Sequence, residues 1–194
     1  MCNLFEEENK KFIELKKNLI ENLKLLEIKE KFNITKISFN KEDINKSSST
    51  KFDNISSKKG LYFFKIKVIN LQNDSIQTFK KNWKKVKYTP NIIQKRWDKS
   101  LKELESQEYV AFYIGKSENI KKRVEEHIYA LKKDKTYLKN TSSLRLKEHF
   151  DKDNNMDKFE FSIGYIELPI ESELLTLLES GLREDLSCIV GKNK

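Results

Sequence analysis

Cysteine and proline occur only twice each in the 194 residues, histidine twice and glycine five times. Cys2 and Cys188 are too few for a disulfide framework or a zinc site, and a reducing, cytoplasmic setting fits them. No run approaches the roughly 20 apolar residues that span a bilayer, so no membrane is expected as a partner. The opening MCNLFEEENKKF brings acids early and carries no long apolar run, so no signal peptide is expected. Negative charge is also in deficit. Thirty Asp and Glu face 39 Lys and Arg, for a net charge of +9 and a sequence pI near 9.3. That excess points to a polyanionic partner, although a chain rich in lysine throughout reaches the same figure with no such partner. What is present suffices for a core. Hydrophobic residues make up 37%, led by Leu, Ile and Phe, which excludes global disorder. The length fits one domain with elaborations.

Periodicity orders the chain. Phe12, Leu15, Leu19, Leu23 and Leu26 recur at three- and four-residue steps and predict a helix over residues 7–32. Residues 33–59 are polar and Ser-rich and read as linker or surface loop, with a short strand at 36–39. GLYFFKIKVI reads as a strand from Gly60, YVAFYIG as a second over 109–115, and FEFSIGYIEL as a third over 159–168. Helices are expected over 92–104, over 118–133 with Ile120, Val124, Ile128 and Leu131 inward, over 143–150 and over 171–186. The expected fold is α/β: a small three-stranded mixed sheet flanked by helices. Residues 1–58 form an N-terminal helix and polar linker, and residues 59–194 the domain proper.

Three places draw attention on residue type alone. If the first two strands pair antiparallel, Tyr62 and Tyr113 share one end of the sheet; tyrosine is also an ordinary strand residue. Arg123 and His127 stand four apart on one helix face, beside the apolar stripe; an exposed Arg and a boundary His give the same pattern. Glu179 interrupts a leucine stripe formed by Leu175, Leu178, Leu182 and Leu186. A carboxylate facing a core needs a cation or an ionic partner such as Arg123.

The ordered set GLY, then FYIGKSENIKKRVEEH, then a glutamate on a leucine-rich helix resembles the GIY-YIG nucleases. The resemblance covers residues 59–193. It implies DNA as partner, phosphodiester hydrolysis, and one Mg²⁺ (or Mn²⁺) per active site. It also implies Tyr62, Tyr113, Arg123, His127 and Glu179 as the catalytic set, with Glu179 on the metal. Tyr62 is then the general base, Tyr113 orients water or phosphate, Arg123 grips phosphate oxygens, and His127 assists proton transfer. Lys116, directly after Gly115, is a candidate phosphate contact. Two features depart from the family. A short hairpin of about 2–5 loop residues is replaced by an insertion over residues 72–107, and no proline follows the glutamate helix, where Asn193 stands in for the family's asparagine.

The insertion interleaves Lys80, Lys81, Lys84, Lys85 and Lys87 with Trp83 and Tyr88, followed by Arg96 and Trp97. Cations neutralise phosphates and aromatic faces stack on bases, so the segment is expected to bind DNA. A small core built on the two tryptophans is the alternative. The function expected is a restriction or defence endonuclease. A repair or homing nuclease, a non-catalytic nucleic-acid binder on the same fold, and a homodimer all stay open.

Overall fold

The structure is a computed structural model that describes residues 37–45, 50–72, 74–129 and 143–191, with scattered positions between 7 and 21. Those scattered positions are helical, and Ile13 and Leu15 among them are exposed. Phe12, Leu19, Leu23, Leu26, Leu131 and Asn193 lie outside the described residues.

The chain is α/β, but its main sheet is not the expected three-stranded mixed one. It has four strands in the order β1 (Ile37–Phe39), β5 (Phe159–Glu167), β2 (Gly60–Val68) and β4 (Val110–Ser117), every neighbouring pair antiparallel. β3 (Asn91–Ile92) and β6 (Val190–Gly191) form a separate two-stranded ribbon. The fourth strand is the short one expected at 36–39, within the stretch otherwise read as linker. That stretch also carries α1 (Lys41–Asn45), and it buries Phe39, Ile44, Phe52 and Ile55. Four apolar residues spaced among serines and lysines follow no single period, so the local pattern hides them.

β2 is paired on both sides, and its alternation sorts two cores. Tyr62, Phe64, Ile66 and Val68 point into the larger core. That core is covered by α5 (Ile120–Tyr129), α6 (Leu146–Lys152) and α2 (Ser75–Trp83). Leu61 and Phe63 point the other way, under Leu175, Leu178 and Leu182 of α7 (Ser172–Asp185). Further along that second face come Lys65 and Lys67. There Lys67 pairs with Glu160 at 3.2 Å and lies 4.9 Å above the Tyr109 ring.

The insertion is built into this body. In place of a loop and one helix over 92–104 it forms α2, β3, α3 (Gln94–Lys99) and α4 (Leu101–Glu105). Trp83 and Trp97 are 2% and 0% exposed and sit with Phe79 in the larger core. Phe79 stacks on both indoles. The tryptophans therefore meet protein, and stacking on bases by Trp83 is excluded in this fold.

Candidate active site

β4 departs from strict alternation at one point. Phe64 faces Tyr113 while the next residue, Lys65, faces Ala111, so Phe112 is an extra residue in the ladder. Ala111 and Ile114 lean on the α7 side, and Phe112 and Tyr113 both enter the larger core. An unbroken period of two would send Phe112 and Tyr113 to opposite faces. The bulge thus puts Tyr113 on the same face as Tyr62, with ring centroids 6.3 Å apart.

Gly115 lies opposite Tyr62 in the ladder. A Cβ there would stand 2.2 Å from the Tyr62 hydroxyl oxygen. The tyrosine ring occupies the space that any other residue's side chain would fill, a requirement the tripeptide alone does not reveal.

His127 comes from the last turn of α5. The helix begins at a cap in which Asn119 Oδ1 accepts from the Lys122 N–H at 2.9 Å. The segment before α6 docks on the other end of α5. Ser143 Oγ donates to the Glu126 carbonyl at 2.7 Å, and the Leu144 N–H donates to His127 Nδ1 at 2.9 Å. A backbone N–H can only donate, so Nδ1 is the acceptor nitrogen and the proton of neutral His127 resides on Nε2. Burial first, and the Arg123 charge second, hold its pKa well below the ordinary value, so the ring is neutral. Nε2–H therefore donates to Tyr62 Oη, 2.8 Å away. This revises the proton-transfer role expected of His127: in this tautomer it cannot take the Tyr62 proton, but it can stabilise a Tyr62 oxyanion.

Arg123 also comes within hydrogen-bonding reach of the Tyr62 oxygen and pairs with Glu126 at 2.6 Å. His127 thus occupies the Tyr62 oxygen from one side, and Arg123 and Tyr113 both act on the same phenol. Burial pushes the Tyr62 phenol well above its ordinary pKa; Tyr113 and Glu179 add to this and Arg123 opposes it. Tyr113 is also raised, by burial and by Glu179, against Arg123 and Arg183. Tyr62 is 1% exposed and Tyr113 9%, so Tyr113 is the more accessible phenol.

Glu179 belongs to the opposite layer. α7 packs against β4, the end strand of the sheet, and at that edge the carboxylate's charge reaches both tyrosines. Its side chain is 14% exposed, and it pairs with Arg183, one turn on. Sequence reading passed over Arg183, although its i,i+4 spacing from an inward glutamate is the signal that finds it. Lys116 is directed to the first turns of α7. There its ammonium donates to the Thr176 hydroxyl and, at 3.4 Å, to the Ser172 carbonyl.

Among the described residues no group of three or more His, Cys, Asp or Glu side chains gathers as a metal cage. The donor set at the tyrosines is one carboxylate beside phenolic oxygens. Such a set fits a hard cation that keeps most of its shell as water and phosphate, as Mg²⁺ does. It does not fit a soft or tightly caged metal.

The insertion lysines divide. Lys81, Lys84, Lys85 and Lys87 are exposed, as is Tyr88 at 57%. Lys80 is partly covered, 3.9 Å from Asp98 and 5.9 Å from the Trp97 ring centroid. Arg145 braces the exposed stretch, donating to the Lys87 carbonyl at 3.0 Å and lying 5.8 Å from the Tyr88 ring centroid. No helix among the described residues is long and apolar enough to cross a membrane. Comparisons with known protein families, curated proteins and solved structures gave no match.

Proposed function

We propose that this chain is a metal-dependent DNA endonuclease of the GIY-YIG kind, with Tyr62, Tyr113, Arg123, His127 and Glu179 as its active centre. One observation carries the reading: the buried 2.8 Å bond from His127 Nε2–H to Tyr62 Oη, with Arg123 at the same oxygen and Tyr113 as its outlet. A sheet needs no such arrangement for packing. Residues from β2, β4 and α5 converge on one phenolic oxygen, and α7 brings a carboxylate to the same edge.

In this reading Tyr62 first gives up its proton through Tyr113 to solvent, as the charge of a bound cation would favour; the attacking water then gives its proton to Tyr113, the accessible phenol, while Tyr113 passes its own inward to the Tyr62 phenolate. Tyr62 is where the negative charge is best held beforehand, by the His127 N–H and the Arg123 guanidinium. Arg123 faces the phosphoryl oxygens with its planar fork, sharing or leaving Glu126 to do so. Glu179, together with substrate phosphate, holds the divalent cation, Mg²⁺ or Mn²⁺. When bound, that cation neutralises phosphoryl charge and lowers the pKa of the nucleophilic water. Lys81, Lys84, Lys85 and Lys87 neutralise flanking phosphates. Because these lysines belong to the same folded body as the site, recognition is built into the nuclease unit, which favours a restriction or defence role.

Incubating the protein with unmodified plasmid, with and without Mg²⁺, tests this. Discrete fragments that need Mg²⁺ support restriction, and nicking supports a repair or homing enzyme. Binding with no cleavage under either condition makes the chain a non-catalytic binder and ends the nuclease reading.

A further inference from the structure

We propose that Arg183 is a positioning residue: it holds the Glu179 carboxylate in place of the divalent cation and is released to a substrate phosphate when the cation binds. This inference rests on the nuclease reading above. Glu179 sits in the apolar stripe of α7, where an unpaired carboxylate is expensive, so it needs a positive partner at every stage. Arg183, one turn away, supplies that partner; the two side chains are 23% and 14% exposed, Arg183 first.

A second observation marks the arrangement as one of two states. Arg183 Nε is buried and finds no acceptor among the described residues. An orphaned buried N–H carries a free-energy penalty. The guanidinium is therefore tied by one end only, and a position with an added oxyanion satisfies it better.

Like charges on one carboxylate repel. A divalent cation arriving at Glu179 weakens the Arg183 contact, and the freed fork suits phosphate geometry. The direction of that release is set by the site. Arg183 already acts electrostatically on Tyr113, the phenol nearest the surface, and on Cys188 behind it. By linkage, metal and DNA then bind cooperatively, and each alone binds less well than the residues permit.

The test is Mn²⁺ titration of the DNA-free protein, with free Mn²⁺ read by electron paramagnetic resonance. Arg183→Gln is expected to bind Mn²⁺ about tenfold more tightly than wild type, about 1.4 kcal/mol. Glu179→Gln is expected to lose that binding, with or without the Arg183 change. Equal Mn²⁺ affinity in wild type and Arg183→Gln, with loss in Glu179→Gln, overturns the proposal and leaves the nuclease reading standing. Wild-type affinity in Glu179→Gln overturns the metal assignment and this inference with it. If circular dichroism shows Arg183→Gln unfolded, Arg183→Lys serves. It keeps the charge but not the fork and is expected to bind Mn²⁺ about threefold more tightly than wild type; identity with wild type overturns the proposal.

Discussion

An imidazole whose Nδ1 accepts a backbone N–H at 2.9 Å has one proton left to give, and His127 gives it to the Tyr62 oxygen. The residue thus acts by donating a hydrogen bond, not by titrating. Nitrogen-15 NMR of the histidine ring should show a protonated Nε2 and a bare Nδ1 at pH 7, unchanged at pH 5. An imidazolium at pH 5, or a proton on Nδ1, would contradict this assignment. Gly115 belongs to the same argument. Since a Cβ there would meet the Tyr62 hydroxyl at 2.2 Å, Gly115→Ala must push the ring out of line with His127. A loss of about 1–3 kcal/mol in stability is expected from such overpacking, together with a loss of cleavage larger than that of binding. Denaturant melts and single-turnover assays read both; wild-type behaviour in both would show that the ring has another place to go.

At the scale of elements, β4 and the insertion that precedes it carry most of the meaning. The bulge at Phe112 turns Tyr113 toward Tyr62, and α7 meets that strand from the other side with Glu179. The end of α2 and the turn after it present Lys81, Lys84, Lys85 and Lys87 to solvent. Neutralising Lys84, Lys85 and Lys87 together should reduce the dependence of log affinity on log salt by about 2–3 units if all three touch duplex phosphates. Turnover at saturating DNA should change far less, and an unchanged slope would reduce these lysines to a solvated face. These elements also explain what the sequence disclosed. The stripe of α5, the stripe of α7 and the alternation of β2 each obey one period over a long run, and the residues they carry toward the site could be named from it. α2 was not legible, because Ile76, Phe79 and Trp83 lie among lysines that suggest an open surface. β1 is only three residues long and borrows its stability from β5. The bulge has no local signature, whereas the pairing of Glu179 with Arg183 follows from their i,i+4 spacing within α7.

For the whole molecule, two buried histidines set a limit on the acid side. Burial, with Lys152 and Arg145 adding to it, lowers His149 to about 3, and the ring stacks on Trp83 with centroids 4.0 Å apart. His127 is depressed in the same direction. Both unfolded-state values lie near 6.5. Below that pH the unfolded chain takes up protons that the folded chain refuses, so stability falls as pH drops from about 6.5 toward 3. The expected slope is about 1.4 kcal/mol per pH unit for each histidine. Melting curves between pH 7 and 5 at fixed ionic strength should show it, and His149→Phe should remove about half; a flat profile would mean that the rings protonate in place. The account as a whole stands on the edge of β4, where two buried phenols, a guanidinium and a carboxylate come together. Its most direct test is single-turnover cleavage of unmodified DNA by wild type and Glu179→Gln, each with and without Mg²⁺. Wild type with Mg²⁺ should cut, and Glu179→Gln should be slower by about a hundredfold or more, a loss near 3 kcal/mol of transition-state stabilisation, with DNA binding retained. Cleavage by Glu179→Gln at the wild-type rate, or by wild type in the presence of a chelator, would contradict it.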